Sequence, residues 1–83
     1  MTTIPAVPTL HFEAGYAFRF RASDQGEPPH VHVEGNGGHA KFWLDGSRLE
    51  KAAGYNRRQL TQIGRIVEAH ADEFKARWHD YFD

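Results

Sequence analysis

The segment Glu27-Pro28-Pro29-His30-Val31-His32-Val33-Glu34 concentrates the chemistry of this chain. His30 and His32 are two residues apart, so on a strand both imidazoles share one face with Cα atoms about 6.6 Å apart. Neutral imidazoles at that spacing can chelate zinc, nickel or copper. Glu34 lies too far along to join His30, so a third ligand would come from a neighbouring strand, such as His11, or from the loop acids Asp24 and Glu27. Lys41, expected opposite His32, works against a cation there. The same residues also suit metal-free phosphodiester chemistry. His30 and His32 would act as acid and base near neutrality, with Lys41 keeping His32 neutral and Arg19 and Arg21 available to phosphate. Trp43 would stack a base.

Two hairpins and a helix must position these groups. Thr9 to Glu13 alternates, with Leu10 and Phe12 apolar and His11 and Glu13 polar, and Tyr16 to Arg21 alternates after a short turn at Ala14-Gly15. Ser23 to Pro29 is a breaker-rich loop, and Pro28-Pro29 stiffens the approach to His30. Asn36-Gly37 is a strong hairpin signal. With these two at its centre, Val33 pairs with Ala40 and Val31 with Phe42, while His32 faces Lys41, His30 faces Trp43 and Glu34 faces His39. That register satisfies both faces, which a slip of one residue would not.

Residues 45–55 read as a connector with a short helical turn around Leu49, closed by Gly54. Asn56 and Gln59 form a capping box, and Tyr55 and Leu60 a hydrophobic staple. Leu60, Ile63, Val67, Ala71, Phe74, Trp78 and Tyr81 or Phe82 then recur every three or four residues, as in one long amphipathic helix. A helix covers one side of a sheet. The other is expected to stay open, carrying His11, Glu13, Arg19, Arg21, His30, His32, Glu34, Lys41 and Trp43, and is free for a ligand or a homodimer contact.

The 83 residues make one domain, 1–83. There is no cysteine, so disulfides and cysteine-held zinc are excluded. Met1 to Pro8 lacks the pattern of a signal peptide, and no stretch approaches a membrane span, so a cytoplasmic protein away from membranes is expected. Net charge is −1, yet residues 41–65 hold six cations (Lys41, Arg48, Lys51, Arg57, Arg58, Arg65) against two acids. Arg57 and Arg58 fall in the first helical turn, where the helix dipole disfavours cations, which suits an anionic partner or nucleic acid.

Glu27-Pro28-Pro29-His30-Val31-His32-Val33, followed by Ala40-Lys41-Phe42-Trp43-Leu44, closely resembles a bacterial family known as domain of unknown function 4160. The likeness runs from Pro8-Thr9-Leu10 through Gly15-Tyr16, Ser23-Asp24, Leu49, Gly54-Tyr55, Leu60, Ile63 and His70 to Trp78. It departs from the family pattern at Ala17 and Asp45-Gly46, neither of which touches the histidine pair. The resemblance implies a small bacterial protein encoded beside another short protein, in an arrangement similar to a toxin–antitoxin module. It therefore implies a protein partner, and it carries no established catalytic residue.

The expected fold is α+β: a four-stranded antiparallel sheet of two hairpins (8–44), a connector (45–55) and one amphipathic C-terminal helix (56–82). The first functional expectation is a component of a toxin–antitoxin-like two-gene module that binds the adjacent gene's product without a cofactor. The alternatives are a small ribonuclease or zinc-type metal enzyme using His30, His32 and Lys41, and a nucleic-acid-binding regulator using Arg57, Arg58 and Lys41. Arg19, Arg21 and Trp43 complete the candidate binding set.

Overall fold

The computed structural model describes residues 9–83, so Pro8 and the Met1 to Pro8 segment lie outside the described residues. Five strands, β1 (Thr9–Glu13), β2 (Tyr16–Arg19), β3 (His30–Gly35), β4 (Gly38–Trp43) and β5 (Arg48–Ala53), precede one helix, α1 (Arg57–Phe82). The strands form a single antiparallel sheet in the order β1-β2-β3-β4-β5. This is a meander.

The β3–β4 hairpin has the register that the Asn-Gly turn dictates, from His30 opposite Trp43 to Gly35 opposite Gly38. Asn36 and Gly37 both take positive φ, 50° and 87°, as a primed two-residue turn requires. Gly35 is held to glycine by its surroundings. Its φ is 118°, and a Cβ there would lie 2.2 Å from the Gly15 carbonyl oxygen. The Tyr55 hydroxyl fastens this end of the hairpin by hydrogen-bonding to the carbonyls of Gly35 and Gly38 at 2.7 and 2.9 Å.

Two expectations change. The connector is a three-residue 3₁₀ turn, Asp45–Ser47, followed by a fifth strand that pairs with β4, so the sheet has five strands rather than four and Leu49 lies in β5. Every residue of β5 is exposed, and its sequence Arg-Leu-Glu-Lys-Ala-Ala shows no apolar alternation to signal a strand. In β1 the register with β2 shifts between Thr9 and His11. Such a shift exchanges the faces of the residues beyond it. Phe12 is consequently 72% exposed, whereas His11 turns toward the helix and its ring lies 6.1 Å from that of Phe74.

Helix α1 starts where the capping box places it. The Asn56 side chain accepts from the Gln59 N–H, and the Gln59 side chain accepts from the Asn56 N–H. Its stripe buries Ile63, Ile66, Val67, Phe74 and Trp78 against Tyr16, Phe18, Phe20, Val31, Val33, Ala40, Phe42 and Leu44. Leu60 and Phe82 pack at the margin. Burial of these side chains, the larger aliphatic and aromatic ones contributing about 1.5–3 kcal/mol each, supplies the main drive to fold. Among the described residues no helix is long and apolar enough to cross a membrane.

Candidate metal centre

The sheet face opposite α1 is partly covered, contrary to the open face expected. After β2 the chain turns through a 3₁₀ segment, Ala22–Asp24, and lays the loop up to Pro29 across β3. His30, Val31, His32 and Val33 are all buried, the valines under the helix and the two imidazoles with Asp24, the His30 ring also lying 5.1 Å from that of Trp78 in α1. No cis bond occurs among the described residues, so Pro28 and Pro29 are both trans.

Asp24 is the hub. Its Oδ1 lies 3.0 Å from His32 Nε2 and 3.1 Å from His30 Nε2, and its Oδ2 lies 3.1 Å from His32 Nε2. Oδ2 also accepts the Arg21 backbone N–H at 2.7 Å, which fixes the carboxylate. Burial pushes the Asp24 carboxyl up, but the His32 hydrogen bond, the Arg21 N–H and the nearby histidine charges outweigh it and hold the group below its ordinary 3.8. Burial is also the first cause that holds His32 below its ordinary 6.5. The Asp24 hydrogen bond and charge oppose that shift, while Arg21 and His30 add to it. Lys41 was the expected cause and plays no such part, because its ammonium is engaged by Glu27 at 2.9 Å and sits 4.7 Å from the centre of the Trp43 ring. At neutral pH the pair is thus an ionised carboxylate and a neutral imidazole.

His30 shows what the arrangement lacks. Its Nδ1 lies 2.9 Å from the Pro28 carbonyl oxygen, an acceptor only, so Nδ1 carries the proton. In the neutral ring Nε2 then presents a lone pair toward the Asp24 carboxylate. This nitrogen is buried, and although it is within ion-pair distance of Oδ1 it has no aligned hydrogen bond. Either a proton on Nε2 or a bound cation would reconcile this nitrogen with the carboxylate. A divalent cation bonded at about 2.1 Å holds adjacent ligand atoms roughly 3.0–3.4 Å apart, according to octahedral or tetrahedral angles. The observed 3.0 and 3.1 Å fall in that range, and all three ligand atoms lie within 4.8 Å of one another. The Pro28 carbonyl already orients His30 by its far nitrogen, as outer groups commonly do for a ligating histidine.

The remaining candidates are divided between two places. Arg19 and Arg21 both pair with Glu34 beside the buried cluster, and Trp43 donates to Glu50 at 2.7 Å while its ring meets His30 edge-on. Arg57 and Arg58 lie elsewhere, in a groove along α1 that they line with Glu13, Arg65 and Ile66. Lys41 and the helical arginines therefore do not form one surface. His11 cannot serve as the third ligand, because the β1 register shift carries it to the helix side, where its ring lies 4.1 Å from that of His70. Asp24 is the acid that meets the two imidazoles instead. The sequence offered it only as one of several options, and because the same loop carries a second acid, Glu27, only the fold singles Asp24 out.

No curated protein and no solved structure matches the chain. The family model described as Domain of unknown function (DUF4160) matches residues 15–79, a stretch that contains Asp24, His30, His32 and most of α1. A match over that much of the chain is decisive, and the protein belongs to this family of unknown function.

Proposed function

We propose that the protein is a divalent-metal protein whose cation is held by Asp24, His30 and His32. The observation that carries this reading is the buried His30 Nε2, which lies 3.1 Å from the Asp24 carboxylate without an aligned hydrogen bond. Two imidazoles and a carboxylate suit a borderline cation of the zinc class. The cation would join the Ala22–Pro29 loop to β3 and so link metal binding to the stability of the fold. Because all three ligands are buried, its first role is to fasten the loop. Catalysis by His30 or His32, with Lys41 assisting, would require that loop to open. Zinc at 100 times its Kd stabilises a fold by about 2.7 kcal/mol. That corresponds to a rise in Tm of roughly 10–20 °C for a domain this size. Thermal melts of chelator-treated protein with and without zinc test the reading. Most of the rise should disappear in Asp24→Asn, and a wild-type melt indifferent to zinc, nickel and cobalt would refute it.

A second reading has its own support. The wholly exposed β5 pairs on one side only, and an unpaired strand edge is a template for another chain. This favours a protein partner, in keeping with a component of a toxin–antitoxin-like module that binds the product of the adjacent gene. Co-expression of the two, scored for a stable complex and for growth arrest, is the test. Leu49→Asp, on the exposed strand, should weaken the complex, and the absence of any complex would end this reading.

A further inference from the structure

A second set of two histidines and one carboxylate lies across the sheet from the first. The β1 register shift that removes His11 from the open face sets it beside α1. His11 Nε2 lies 2.8 Å from Glu13 Oε1, and His70 Nε2 lies 3.5 Å from the same oxygen. The three ligand atoms fall within 4.8 Å of one another. His70 is positioned through its other nitrogen, because Glu73, one helical turn on, lies 3.1 Å from His70 Nδ1. A carboxylate there accepts a hydrogen bond from Nδ1–H, which in the neutral ring leaves the Nε2 lone pair facing the cluster, as in the carboxylate–histidine–metal arrangement of zinc sites.

We propose that His11, Glu13 and His70 form a second divalent-metal site, with Glu73 as a positioning residue. Unlike Asp24, His30 and His32, these side chains reach solvent, with relative exposures of 24%, 47% and 27%. Three protein ligands leave a zinc-class ion at least one position for water or an exogenous ligand. Glu13 also lines the groove that holds Arg57, Arg58 and Arg65, so that position borders a cationic surface. Among the described residues none of these arginines has a carboxylate partner. Their charge weakens cation binding, which ranks this site below the buried one in affinity.

Cobalt(II), whose visible absorption reports its ligands, tests the proposal on the full chain. Wild type should take up two equivalents, the weaker of which is missing in His70→Ala and in Glu13→Gln. Glu73→Ala should retain that weaker site with affinity reduced by about 10–100-fold. Asp24→Asn separates the two sites, since it should lose the tighter equivalent and keep the weaker. Two equivalents in both His70→Ala and Glu13→Gln, or one wild-type equivalent that only Asp24→Asn abolishes, would overturn this inference and leave the buried site standing. One equivalent abolished only by His70→Ala would do the reverse. No uptake by wild type would remove both.

Discussion

Asp24, His30 and His32 on one face of the sheet, and His11, Glu13 and His70 on the other, have the same composition in different surroundings. The first set is buried, and its carboxylate is also pinned by a backbone N–H. The second sits at a solvent-facing margin between β1 and α1, and its carboxylate is held only by side chains. Burial makes each missing partner costly, so the first cluster is tied to the stability of the fold. Exposure makes the second cheap to alter and open to exchange. Identical donor sets are thus expected to differ in affinity, in their effect on stability and in their response to pH.

Removing the hub of the buried cluster should show the contrast most clearly. Asp24→Ala leaves two buried imidazoles without their carboxylate and should cost about 3 kcal/mol in the metal-free protein, read by urea unfolding. A loss under about 1 kcal/mol would mean that the buried cluster is no more integral than the exposed one. His32→Ala should cost about 2 kcal/mol, against within about 0.5 kcal/mol for His70→Ala on the helix surface. Equal costs would erase the distinction.

Acid should separate the clusters next. The His32 value lies below its unfolded 6.5, so near that pH the unfolded chain binds more protons than the folded one. Stability of the metal-free protein is therefore fully present above 6.5 and declines as pH falls through the lower folded value. Asp24 adds a further loss below 3.8. In His32→Ala the first decline should flatten, and melts from pH 7.5 to 5 check it. Glu73→Ala should have the smallest effect on the fold, leaving the melt within about 0.5 kcal/mol of wild type while still weakening cobalt at the exposed site.

The physics that separates the two clusters also explains which features the sequence disclosed. The β3–β4 register followed from Asn36-Gly37 because a two-residue turn and a buried face leave a single solution. The helix was legible from its capping box and its apolar period, although Ile66 joins the buried stripe where Ala71 was expected to. Strand β5 was not, because an edge strand exposed along its whole length has no buried face to impose alternation, and Leu, Glu, Lys and Ala favour helices. The change of face in β1 was hidden for a related reason. A bulge inserts a backbone irregularity that the alternation of Leu10, His11, Phe12 and Glu13 does not record. Of the buried cluster, His30 and His32 were evident from their spacing, but Asp24 joins them only through the path of a loop whose course depends on tertiary packing.

The metal assignment rests on the pairing of Asp24 with the two imidazoles, and cobalt titration of wild type beside Asp24→Asn examines it most directly. The expected result is a tight equivalent with the absorption of a nitrogen- and oxygen-bound ion in wild type, absent from Asp24→Asn while that variant keeps its far-ultraviolet spectrum. A folded Asp24→Asn that binds cobalt as tightly as wild type, with the same spectrum, would contradict it.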